Sequence, residues 1–169
     1  MREFAHDLIR KSAVTASARL QFARLAFGAA GSAGSSIDLG DAEQVARGIF
    51  QDERTRLDWQ APRLLLPKNQ VKLLLNMLVI AQSTIPRGGV VTVTLSGEGE
   101  TLVMKAVAQG PTARIAQALP YLLRGESESG AIDSHSIQPY YTSLIAHAEG
   151  LVVSASIDGE TVTLAASRP

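Results

Sequence analysis

The chain has 169 residues, 46% of them hydrophobic, with 16 Lys+Arg against 16 Asp+Glu and a formal net charge of +0. That length suits one domain, or a small domain with a helical extension, and that apolar content excludes wholesale disorder. The balanced charge argues against a nucleic-acid partner. The lack of cysteine excludes disulfides, thiolate zinc sites and cysteine nucleophiles, and fits a reducing compartment.

The elements follow in chain order. Met1–Gly28 predicts one long helix, because it has no Gly or Pro before Gly28 and is rich in Ala, Leu, Arg and Gln. A seam of Ile9, Ala13, Ala16, Leu20, Ala23 and Phe27 alternates spacings of four and three, as a helix in a bundle does. Val14, Phe22 and Leu25 widen the apolar surface beyond that seam, so the helix needs more than one neighbour. Gly28–Ser36 reads GAAGSAGSS, a small-residue hinge and the clearest domain boundary. Asp41 caps a second helix that runs to about Gln51, with Glu43 in its first turn.

Leu57–Gln60 is a short strand limited by Pro62, and Pro67–Ser83 is a strong helix with proline near its start. Arg87-Gly88-Gly89 turns the chain. Val90–Leu95 and Thr101–Val107 form a hairpin through SGEGE. Thr112–Arg124 predicts a short helix, Gly125–Gly130 a polar loop, and Ser136–Glu149 a helix interrupted near its start by Pro139. Leu151–Ile157 and Thr161–Ala166 pair across Asp158-Gly159. The longest apolar stretches, such as Val71–Ala81, are short of a membrane span and contain Lys72 and Asn76. The N-terminus shows no signal-peptide core, so the expected setting is cytoplasmic, with no membrane and no nucleic acid.

The predicted fold class is α/β (α+β): a long bundle helix, then helices on one face of a mixed sheet. Its parts are the helix at 1–28, a Gly/Ser-rich hinge at 29–40 and the sandwich at 41–169. PKNQVKLLLNMLVIAQSTIPRGG (Pro67–Gly89) resembles the N-box helix of the GHKL ATPase domain of histidine kinases. That helix carries two asparagines four residues apart, the second holding Mg²⁺. Here Asn76 fills the first position and Ile80 the second, and a hard cation takes oxygen ligands that isoleucine lacks. The D-x-G-x-G turn of those kinases corresponds to Ala108-Gln109-Gly110-Pro111-Thr112, where Ala108 replaces the adenine-reading Asp and Thr112 the second glycine. The later phosphate-covering glycine box corresponds to Ser136–Tyr141, which has no glycine and contains Pro139. The expectation is a pseudo-ATPase, neither ATPase nor kinase, with no cofactor and no metal site.

Together with ASARLQFARLAFGAAGSAG (Ala16–Gly34) and the Asp133–Tyr141 run, these segments resemble the ChpT-type histidine phosphotransferases from about Phe4 onward. That resemblance implies a homodimer with a four-helix bundle. It also implies a phosphoryl group passed from a hybrid histidine kinase's receiver to a histidine and on to response-regulator receiver domains. In that family the acceptor lies on the first helix of a hairpin, in a motif like H-D-L-x-S-P. His6-Asp7-Leu8-Ile9 begins that motif, but Arg10-Lys11 stand where Ser-Pro would be. The helix bearing His6 also runs straight into the glycine hinge, as the family's second helix does. The simplest expectation is that the first helix is missing from this sequence, through truncation or a start codon placed too late, and that His6 is a look-alike.

Two readings of His6 stay open. One is an ordinary solvent-facing helical histidine. The other is a phosphoacceptor whose neutral nitrogen attacks an aspartyl phosphate, with Asp7 orienting the ring. Asp7 has its own ordinary reading, an acid suited to the start of a helix. His135 is read as structural, fixing the start of the Tyr140 helix with Asp133, and His147 as a cation suited to a helix C-terminus. Adjacent Asp133, Ser134 and His135 cannot face one another as a hydrolase triad does. Three scattered histidines make a poor zinc set, and Trp59 reads as core. The alternative function is a phosphotransfer-incompetent module that binds receivers or dimerises.

Overall fold

The structure, a computed structural model, describes residues 2–28, 35–50, 54–127 and 130–169. The middle of the expected hinge (29–34) and part of the expected loop (128–129) lie outside the described residues. The order is α1 (Arg2–Phe27), β1 (Ser36–Asp38), α2 (Leu39–Ile49), β2 (Thr55–Trp59), β3 (Leu65–Pro67), α3 (Lys68–Thr84), β4 (Gly89–Ser96), β5 (Val103–Gln109), α4 (Leu119–Leu123), α5 (Ile137–Ala148), β6 (Val152–Asp158) and β7 (Thr161–Ser167).

Five strands form one mixed sheet in the order β2-β4-β5-β7-β6, parallel between β2 and β4 and antiparallel elsewhere. Strand alternation puts Val93, Ala106, Leu164 and Ala155 in one row across β4, β5, β7 and β6. Val91, Ala108 and Val162 form the next row. All but Ala155 of these are buried, and the helices cover this face. At its centre lies α3, where every residue from Val71 to Leu78 is buried. A helix buried on all sides reads as a continuous apolar run rather than a stripe, which is how LLLNMLVIA appears in the sequence. The chain enters β4 through Gly88, at φ +87, where a Cβ would collide with the Arg54 carbonyl oxygen.

Four local features differ from the expectations. A two-stranded ribbon, β1 against β3, was not expected, and β1 and the first two residues of α2 fall inside the 29–40 stretch read as hinge. α2 starts three residues early, because the N-cap is Asp38 rather than Asp41: its carboxylate accepts from the Gly40 N–H at 2.6 Å. The helix expected over Thr112–Arg124 shrinks to Leu119–Leu123: Thr112, at φ +62, cannot start a right-handed helix, and Pro120 sits in the first turn, where its missing N–H breaks no intrahelical bond. Pro139 does not interrupt α5: it sits in the first turn, where no intrahelical acceptor is lost. Trp59 is half-buried and packs against the core.

Two stripes run along α1. Phe22 and Ala26 are buried and Ala18 and Leu25 half-buried, against α2 and α3. Gly48 of α2 allows this approach, since a Cβ there would lie 2.9 Å from that of Ala18. The seam read from the sequence is another matter. Ile9, Ala13, Ala16, Leu20 and Phe27 are exposed, Leu20 by 63% and Ile9 by 65%. At about 100° per residue the two stripes lie on opposite sides of the helix. The chain therefore covers one side of the C-terminal half of α1 with its own sandwich and leaves the other bare, while residues 3–14 are exposed all round.

Candidate phosphotransfer surface and degenerate nucleotide cavity

His6 is exposed on α1, in the N-terminal stretch that the sandwich does not cover. Asp7 does not orient its ring: the carboxylate pairs with Lys11 one turn on, at 3.1 Å. The helix makes that pairing the natural one, since residues four apart are neighbours and adjacent residues diverge. Exposure leaves the imidazole open to a partner protein, with no hydrogen bond from the described residues to activate it.

A cavity of about 560 Å³ opens between α3, α4 and the turn that leads into α5. Its floor is apolar, with Val79 and Ile80 from α3, Leu119 and Leu122 from α4, and Pro139. Arg114, Asp133, His135 and Gln138 supply its polar edge. Ile80 is 3% exposed and Ala108 fully buried, so neither position presents an oxygen to a cation or an adenine. Among the described residues no cluster of His, Asp or Glu could hold a metal. This donor set does not fit a Mg²⁺-nucleotide.

The turn from Gly110 to Ala113 has an unusual backbone. The Ala113 N–H donates to the Gly110 carbonyl at 3.2 Å, with Pro111 and Thr112 between them. Thr112 has φ +62, the one positive φ of a non-glycine residue among those described. Proline followed by a positive φ is the arrangement of a type II turn, whose third position favours glycine. Thr112 therefore occupies a backbone position better suited to glycine.

Asp133 organises the start of α5. Its Oδ1 accepts from the Ser136 hydroxyl at 2.7 Å and from the backbone N–H groups of Ser136 and His135, both at 2.9 Å. The Ser136 hydroxyl, then those two N–H groups, hold the Asp133 carboxyl below its ordinary value of 3.8. The expected role of His135 needs correcting in one respect. Only its backbone serves the turn, while its ring meets the Ser134 hydroxyl at 3.4 Å and faces solvent. His147 occupies the last turn of α5, so the three histidines lie on separate elements.

Sequence reasoning missed one polar network. Asn76 is fully buried, and its amide donates to the Lys72 carbonyl at 2.8 Å and the Ala26 carbonyl at 3.0 Å. Its oxygen accepts from the Gln138 amide at 2.6 Å. Lys72 Nζ donates to the Gly28 carbonyl at 2.9 Å and lies 5.9 Å from the centre of the Tyr141 ring. The signal was present as two polar residues, Lys72 and Asn76, four apart inside an apolar run.

The fold, a long helix followed by an α/β sandwich, meets its counterpart in known proteins. The sequence profile of the histidine phosphotransferase C-terminal domain matches residues 39–161. The chain belongs to the histidine phosphotransferase family. The protein phosphotransferase ChpT of Brucella abortus (strain 2308) is 46% identical over 164 residues, which cover 97% of this chain and 78% of that protein. A solved bacterial phosphotransferase superposes with a TM-score of 0.86 at 44% identity, over 98% of this chain and 80% of that one. The histidine kinase domain of Erythrobacter litoralis EL346 superposes with a TM-score of 0.59 at 16% identity, over 94% of this chain and 81% of that one. This last likeness shows a shared fold with histidine kinase ATPase domains. Among the described residues no helix is long and apolar enough to cross a membrane.

Proposed function

We propose that this histidine phosphotransferase family member carries phosphoryl groups between the receiver of a hybrid histidine kinase and the receivers of response regulators. The observation that carries the reading is close likeness to a phosphotransferase over nearly the whole chain, joined to a kinase-like fold whose cavity holds Ile80 and lacks a nucleotide's oxygen ligands. The chemistry needs no nucleotide. A neutral imidazole nitrogen attacks the phosphorus of a receiver's aspartyl phosphate, a P–N bond forms, and the P–O bond breaks to release the aspartate. The reverse step on a second receiver returns the histidine. Such receivers hold their own Mg²⁺.

In this reading residues 1–28 are the bundle helix and residues 41–169 the pseudo-ATPase domain, joined through 29–40. The bare stripe of α1 from Ile9 to Phe27 meets a second copy, giving a homodimer. His6 is this chain's candidate acceptor. Asp7, paired with Lys11, serves the helix rather than the ring.

A second reading is favoured by that same pairing, which leaves His6 without an orienting carboxylate. In it the chain binds receivers without accepting phosphate. One assay separates the two: incubation with a receiver domain carrying radiolabelled phosphoryl, for wild type and His6→Gln. Acid-labile label on the wild type and none on the variant supports His6 as acceptor. Label retained by the variant removes His6 and leaves transfer standing. Receiver binding without label supports the binding module, and neither label nor binding overturns the proposal.

A further inference from the structure

We infer that Lys72, Asn76 and Gln138 form a clasp that holds the bundle helix and the sandwich in one fixed orientation. The physical problem is the end of α1. A helix leaves its last carbonyls without intrahelical partners, and here they are turned into the protein. Asn76 donates to the Ala26 carbonyl and Lys72 to the Gly28 carbonyl, both reaching across from α3. Lys72 is 6% exposed, and its cation sits where a helix C-terminus concentrates negative partial charge. Gln138 brings in α5 by donating to Asn76. A ring contact seconds it: Phe27 of α1 lies 6.2 Å from Tyr141 of α5 and 6.4 Å from Phe22.

Three elements thus meet at one buried amide whose two N–H groups are both committed. Among the described residues no buried side-chain polar atom lacks a partner. The arrangement is therefore self-consistent only while α1 stays in place. Displacing α1 takes the Ala26 carbonyl from the Asn76 amide and the Gly28 carbonyl from the Lys72 ammonium, and a buried polar group is expensive to leave unpaired. A helix attached through Gly/Ser-rich chain alone would sample many orientations. The clasp removes them, so a partner touching both α1 and the sandwich does not have to order the pair on binding. That benefit rests on the proposed receiver docking, whereas the fixed orientation does not. Lys72, Asn76 and Gln138 are positioning residues and touch no phosphoryl group.

The test uses the full chain, whose lack of cysteine makes labelling unambiguous. Spin labels at Arg10→Cys on α1 and Ser156→Cys on β6 are diluted with unlabelled chain, and their separation is measured by double electron–electron resonance. The expected wild-type result is one narrow distance distribution. In Asn76→Leu and in the milder Lys72→Met and Gln138→Ala variants the distribution broadens by about twofold or more, and the amides of residues 22–28 exchange about tenfold faster while β4 and β5 are unchanged. A wild-type distribution already broad overturns the inference. So does a distribution that stays narrow in folded Lys72→Met and Gln138→Ala, whatever becomes of Asn76→Leu. No receiver takes part, so failure here is separate from failure of the relay.

Discussion

Thr112→Gly is expected to stabilise this protein. Thr112 is held at φ +62 by the turn that links β5 to the cavity rim. A left-handed conformation costs an L-residue about 1–2 kcal/mol, and branching at Cβ makes threonine a poor occupant. Glycine removes that strain but raises the entropy of the unfolded chain, a loss of about 0.4–1 kcal/mol. The Thr112 side chain is exposed and makes no hydrogen bond among the described residues, so nothing else is lost. The net gain is about 1 kcal/mol, which raises Tm by about 2–4 °C in a domain of this size. Thermal unfolding followed by circular dichroism, with calorimetry for the enthalpy, reads it directly. Thr112→Asn should fall between, because asparagine tolerates the left-handed region, and Thr112→Val should gain nothing. If glycine lowers Tm, or if valine raises it as much as glycine does, the strain argument is wrong.

Three further outcomes are expected. Ile80→Asn buries an amide on the apolar cavity floor at a cost of about 1–3 kcal/mol; it should lower Tm without producing saturable Mg²⁺-ATP binding in titration calorimetry, and saturable nucleotide binding by the wild type would sink the pseudo-ATPase reading. Ile9→Glu combined with Leu20→Glu places charge on the bare side of α1 and should shift the chain from dimer to monomer in sedimentation velocity, whereas an unchanged mass would mean that the copies do not meet there. The Asp133 carboxyl has its pKa lowered by folding, so its contribution is complete above the ordinary 3.8 and is lost as pH falls through the lower folded value. The Ser136 amide resonance should therefore show an acid step below about pH 4, where its hydrogen bond to the carboxylate is lost. Asp133→Asn should abolish that titration.

How far the sequence alone reaches can be judged from particular elements. α3, the two hairpins and the long α1 were legible because each carries a strong local signal: an unbroken apolar run, period-two alternation flanked by glycine turns, and a breaker-free helical stretch. The expectation of a degenerate nucleotide site, from Ile80, Ala108 and Thr112, likewise rested on residue type at a known spacing. The ribbon of β1 and β3 was not legible. Its strands are three residues each, too short for a periodic pattern, and they exist because the Leu39 N–H donates to the Leu64 carbonyl and the Lys68 N–H to the Ser35 carbonyl across the fold.

The two faces of α1 show the division most plainly. The sequence determined that this helix has more apolar surface than one neighbour can cover, since that follows from the count and spacing of its side chains. Only the tertiary structure decided which side the sandwich takes. It takes the Ala18–Phe22–Ala26 side because Gly48 permits close approach there and because Lys72 and Asn76 offer donors to the end carbonyls. Those partners are more than 20 residues away in the chain, and helical periodicity carries no information about contacts at that separation. The same holds for Asn76. Its identity invited comparison with a nucleotide ligand, and its surroundings turned its amide toward a helix end instead.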